Sequence, residues 1–170
     1  LAGTGVPISE AAEIVRWYES QQWDLSTMLE SHKPYSGVME LIQWFQNQEN
    51  TYVGLNTGRS ENLRDETLCS LNRTWKEATP IFTSELLQMN PFDWDQVEQS
   101  KVLGIQKFQE SRYKIVAMID NEPSNLAAIS QLDSASEIML LHADTIFKGA
   151  RDLLPVGTVS GNVYDLTGIR

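Results

Sequence analysis

Cysteine is nearly missing from this chain. A single one, Cys69, in 170 residues excludes an internal disulfide framework and a cysteine-built zinc site. Positive charge is also scarce: 13 Lys and Arg stand against 23 Asp and Glu, for a formal charge of -10 and a pI near 4.6. A nucleic-acid binder needs the opposite balance, because its affinity comes largely from cations that neutralise phosphates. A small phosphorylated metabolite stays open as a substrate, since a local positive site can exist on an acidic surface. No apolar stretch approaches the ~20 residues of a membrane span, and no secretory leader opens the chain. The expectation is a cytoplasmic protein that binds neither nucleic acid nor membrane. Glycine is scattered at Gly54, Gly58 and Gly104, with no dinucleotide fingerprint and no Walker-type loop. The two histidines offer no catalyst by spacing: His32 lies beside a Lys-Pro boundary, His142 ends an apolar run, and neither has a Ser or Cys partner at a recognisable distance.

What is present is an ordinary globular composition, 41% hydrophobic and 21% charged. The length suits a single domain, 1–170, with 1–33 as a small helical cap or extension and 34–170 as its core. From Ser9 to about Leu29 the apolar residues Ala12, Ile14, Val15, Trp17, Tyr18 and Leu25 recur at helical spacing, which predicts one or two helices with Ser9 as N-cap. After Pro34 and Gly37, the stripe Val38, Leu41, Ile42, Phe45 predicts another. "TYVGLNTGRSE" starts β-rich, is broken by Thr57-Gly58-Arg59-Ser60, and leads into a helix containing Leu63, Leu68 and Leu71. "PIFT" reads as a short strand, "WDQVEQSKVLGIQKFQE" as a helix, "YKIVAMID" as the best strand, "SNLAAISQL" as a helix, "EIMLLHA" as a strand and "DTIFKGARDLL" as a shorter helix. This alternation predicts an α/β fold: a mostly parallel sheet covered by helices on both faces, in three layers. Ligands of such sheets bind at the carboxyl ends of the strands, so Thr57 and Asp120, each read as closing a strand, should project into one crevice. The Trp and Phe residues are read as packing rather than as a stacking platform for nucleotides.

Taken singly, the candidate site residues are ambiguous. Asp120 reads equally as a helix cap or as a metal ligand. Thr57-Gly58-Arg59 also reads as a cap and turn, Arg59 as a binder of substrate phosphate or a partner of Glu61, and Lys101 as an ordinary solvated lysine. In their order, though, strand-"NTGR", "LQMNP", "SKVLGIQKFQE" and strand-"IDNEPSNL" resemble the second, third and fourth motifs of the haloacid dehalogenase-like superfamily. "KPYSGVMELIQWF" is similar to the helix leading those enzymes into their second motif, so the resemblance runs from about Lys33 to Ala143. The usual members are magnesium-dependent phosphatases with a Rossmann-like three-layer core.

The resemblance implies a role for each residue. Thr57, with the backbone N–H groups of Gly58 and Arg59, would hydrogen-bond a phosphoryl oxygen. Lys101 would steady the nucleophilic carboxylate and the transferring group, with Lys107 as the fallback. Asp120 would hold Mg²⁺ directly or through water. Many relatives carry a second acid beside it; here the neighbour is Asn121, with Glu122 next. The family's nucleophile is an aspartate ending the first strand, which forms an aspartyl phosphate, aided by an Asp two residues on as general acid and base. Nothing before Lys33 fits: Asp24 in "QQWDLSTM" follows a polar run and reads as a helix cap. At the other end, "GNVYDLTGIR" carries Asp165, Thr167 and Gly168 in an order similar to that motif, which would make the domain circularly permuted. The plainer reading there is a closing edge strand and tail. Three accounts follow: a first strand upstream of Leu1, a permuted phosphatase using Asp165, or a fold that kept phosphate or protein binding without catalysis.

Overall fold

Short apolar stripes of helical period become helices along most of the chain. In a computed structural model the described residues are 7–21, 24–31, 34, 37–73, 81–93, 95–145 and 149–161. The chain divides into two compact units, Leu1–Leu55 with Asn62–Leu87 and Asn56–Glu61 with Gln88–Arg170.

The first unit holds α1 (Ile8–Gln21), α2 (Leu25–Ser31), α3 (Val38–Gln46) and α4 (Arg64–Arg73). Asp24 starts α2 as expected of a cap, its Oδ2 accepting from the N–H of Ser26 at 3.0 Å and of Thr27 at 3.4 Å. These donors would otherwise be orphaned at the helix start. Buried Met28, Ile81, Phe82 and Leu87 supply apolar contact, and side chains tie the irregular segment 81–83 to the helices. Gln46 donates to the Ile81 carbonyl at 2.8 Å, and Asn72 exchanges two 3.0 Å bonds with the backbone of Phe82. "PIFT" is therefore no strand over 81–83: its backbone groups go to side chains instead of a ladder. The predicted stripe of α1 is in solvent, with Ile14, Val15, Trp17 and Tyr18 exposed.

The second unit carries the sheets. β1 (Leu55–Ser60) pairs with β2 (Leu87–Asn90), all but the first residue of each strand lying in this unit. Thr57 to Ser60 thus continue the strand they were expected to break. β3 (Ala117–Asp120), β4 (Met139–Ala143) and β5 (Val159–Gly161) form a separate parallel sheet in that order. α5 (Val97–Glu110) precedes β3, and α6 (Pro123–Leu132) connects β3 to β4. Pro123 sits in the first turn of α6, where its missing N–H costs nothing and its fixed φ suits the helix. α5 ends on a left-handed Arg112 (φ 69°), with Tyr113 N–H reaching back to the Phe108 carbonyl at 3.0 Å. No helix fills "DTIFKGARDLL" among its described residues: Asp144 and Thr145 are irregular, and Arg151–Leu153 make one 3-10 turn.

The core gathers Ile105, Met118, Leu126, Ile129 and Ile138, with Leu140 and Leu154 against it. α5 and α6 pack together, and α6 also meets β3, β4 and the 3-10 turn. α6, in the connection from β3 to β4, lies on the face that carries Met118 and Leu140. The opposite face, Ala117, Ile119, Met139, Leu141 and Val159 by register, leaves Ile119 and Val159 about half exposed and keeps Leu141, in the central strand, buried. Val116, Ile119 and Met139 are exposed. The architecture is mixed α/β with short parallel strands.

Candidate functional site

Helical spacing puts Ser100, Lys101, Gly104, Ile105 and Phe108 on the buried side of α5. Lys101 is therefore a core lysine, only 8% exposed. An ammonium out of water is costly unless paired and hydrogen-bonded, and here it has two anchors. Nζ stands 2.8 Å from Asp120 Oδ2 and donates to the Asn56 carbonyl at 2.5 Å. The Asn56 side chain returns a bond from Nδ2 to the Lys101 carbonyl at 2.8 Å. This close seating requires Gly104: a Cβ there would fall 2.7 Å from Asn56 Cγ.

Asp120 closes β3, and its second oxygen organises the entry to α6. Oδ1 accepts from the Glu122 N–H at 2.9 Å and from Asn125 Nδ2 at 3.1 Å. The carboxylate thus serves both as turn residue and as partner of a cation. Thr57 follows Asn56 directly, and its hydroxyl accepts from the Arg59 N–H at 3.2 Å. Gly58 packs close to Val97, and its carbonyl accepts a 3.4 Å bond from buried Asn90, which also bonds the backbone of Phe92 and Asp95. Arg59 is half-buried in β1, and desolvation lowers its guanidinium pKa from the ordinary value.

Lys101 and Asp120 are therefore in direct contact, with the backbone beside Thr57 as the third party. Asn121 and Glu122 are partly buried beside them, but the Glu122 carboxylate lies over Gly149, where a Cβ would meet Oε1 at 2.8 Å. Asp165 lies outside the described residues. Among those described, no three His, Cys, Asp or Glu side chains gather as a metal cluster. What the site offers a hard cation is the remaining lone pair of Asp120 Oδ2 and the Asn125 Oδ1, a buried acceptor without a hydrogen-bond partner. Both are oxygen donors, the kind a hard cation takes. Asn125 escaped the sequence reading because an asparagine in a helix's first turn reads as solvated; its five-residue spacing from Asp120, across a turn, was the only signal.

His142 corrects the reading by spacing. It is 2% exposed, and its Nδ1 is 2.7 Å from Ser160 Oγ, 18 residues away. Parallel pairing aligns Asp120, His142 and Ser160 in one row across β3, β4 and β5. Comparison of the chain with protein-family models, curated proteins and solved structures gives no match.

Proposed function

We propose that the second unit is a phosphate-handling domain of haloacid dehalogenase-like type with a three-layer core, a Mg²⁺-dependent phosphomonoester hydrolase acting through an aspartyl phosphate when the nucleophile is in place. The observation that carries this reading is the buried ammonium of Lys101, which links the carboxylate ending β3 to the β1 backbone beside Thr57. Three segments far apart in sequence meet there, as they would around one phosphoryl group. The Thr57 hydroxyl orients the phosphate, and Lys101 supplies positive charge where the transferring group gathers negative charge. Asp120 and Asn125 hold Mg²⁺, with Asn121 and Glu122 alongside. The ion supplies charge neutralisation of the phosphoryl oxygens. The nucleophile is Asp165 in the permuted account. The partner is a small phosphorylated substrate, and the setting cytoplasmic.

Hydrolysis of a generic aryl phosphate by the 170-residue chain, with and without Mg²⁺, tests this directly. Mg²⁺-dependent turnover that is lost in Asp165→Asn and falls in Thr57→Val supports the permuted phosphatase. One observation favours a second reading, a non-catalytic phosphate-binding domain: both oxygens of Asp120 already have partners, and no other carboxylate joins them among the described residues. Inactivity together with a phosphate-induced rise in melting temperature that Thr57→Val removes would select it. Neither turnover nor phosphate binding would sink both.

A further inference from the structure

We propose that Ser160 is a nucleophilic serine with His142 as its general base, able to take an acyl group from small activated carboxylic esters. Three observations carry this, none involving Thr57 or Lys101. The Ser160 hydroxyl is on the last strand and exposed, within reach of a substrate. Its Oγ lies 2.7 Å from the Nδ1 of an imidazole that is itself buried, so the base is shielded from water while the nucleophile is not. The two residues are ladder partners, His142 opposite Ser160, with Leu141 opposite Val159 and Ala143 opposite Gly161 on either side. A hydrogen bond between side chains anchored at paired sheet positions is pre-organised, whereas a serine and histidine meeting on loops would have to be ordered first. Asp120 lies opposite His142 on the other flank of β4, placing a carboxylate in the next strand of the same row.

The chemistry requires the tautomer with hydrogen on Nε2 and a lone pair on Nδ1. As Oγ attacks the ester carbonyl carbon, its proton passes to Nδ1. The new Oγ–C bond forms, the bond from carbon to the alkoxide breaks, and the alkoxide leaves with the proton from His142. The products are an acyl-serine and a free alcohol. Water then repeats the sequence with the same base, releasing a carboxylic acid and restoring the hydroxyl. No metal, oxidant or further reactant is needed.

A fluorophosphonate probe reports such a serine, because it reacts irreversibly with activated hydroxyls. The full chain is treated with the probe and labelled positions are quantified by peptide mass spectrometry, with exposed Ser111 and Ser136 as internal controls. General-base assistance is worth about 100-fold or more, so Ser160 should label at least about 100-fold faster than the controls. Ser160→Ala should lose that label and keep the slow background. His142→Gln, which keeps a polar side chain of similar reach, should bring Ser160 down to the control rate. Labelling of Ser160 no faster than the controls in the wild-type chain overturns the proposal by itself, even if His142→Gln does not fold. An unchanged Ser160 rate in folded His142→Gln overturns it too, because the histidine would then only be packing against a bystander hydroxyl.

Discussion

Among the described residues of the second unit, two ion pairs stand in opposite surroundings. Lys101 and Asp120 meet with side chains 9% and 7% exposed, whereas Arg151 and Asp144 meet with 50% and 30% exposed. The surface pair keeps Arg151 charged, its pKa raised by the hydrogen bond and charge of Asp144, but water and salt can replace either partner. The inner pair has no such substitute. Desolvation of both ions must be offset by their attraction, by the Asn56 carbonyl and by the two donors on Asp120 Oδ1. The attraction of the two ions does little more than offset their desolvation, whereas the two donors on Asp120 Oδ1 would be left unpaired by an apolar residue at 120.

The largest expected effect comes from breaking the inner pair on one side. Lys101→Met strands a buried carboxylate and should cost about 3–5 kcal/mol in urea unfolding; a loss under about 1 kcal/mol would show that the pair is solvated. Adding Asp120→Leu should recover part of the loss but not all, because the Glu122 N–H and Asn125 amide lose their acceptor, at roughly 1–3 kcal/mol. Next is Gly104→Ala, which pushes a methyl into Asn56 and should destabilise by about 1–3 kcal/mol while weakening any phosphate-induced rise in melting temperature. Mg²⁺ sharpens the contrast further: it should raise the melting temperature of the wild-type chain and leave Asp120→Asn unmoved, while Asp144→Asn responds like wild type. Asp144→Asn should itself barely move the melting temperature, and added salt should erase whatever shift it makes.

The smallest effect concerns a third carboxylate, held by hydrogen bonds at a helix start. Asp24 is held below its ordinary pKa of 3.8, first by the Ser26 side chain and then by the Thr27 N–H. Because the folded pKa is the lower one, the cap stabilises fully above the unfolded value, and its contribution disappears as pH falls through the folded value. Melts of wild type and Asp24→Asn should differ slightly at neutral pH and converge in acid. Divergence in acid would contradict the cap.

Periodicity made much of the fold legible. The stripe Val38, Leu41, Ile42, Phe45 became α3, the runs around Met118 and Leu141 became β3 and β4, and a polar lead-in marked Asp24 as a cap. The limits were missed where local signals end: β1 runs on through Thr57–Ser60, Ile81–Thr83 is no strand, and Asp144 and Thr145 do not begin a helix. The resemblance gave Lys101 a nucleophilic carboxylate to steady and Asp120 a metal ion; their direct contact was not read from the sequence, where the same lysine reads as solvated.

By itself the amino-acid order determined which segments coil, which extend and which residue types close them, because these choices depend on neighbours within a turn or two. Only the tertiary structure decided that Lys101 is buried, that one sheet face keeps Ile119 and Val159 in the open, and that His142 finds Ser160. Those outcomes depend on the direction in which strands are added and on the register between them, which bring together residues too far apart along the chain for any local pattern to connect.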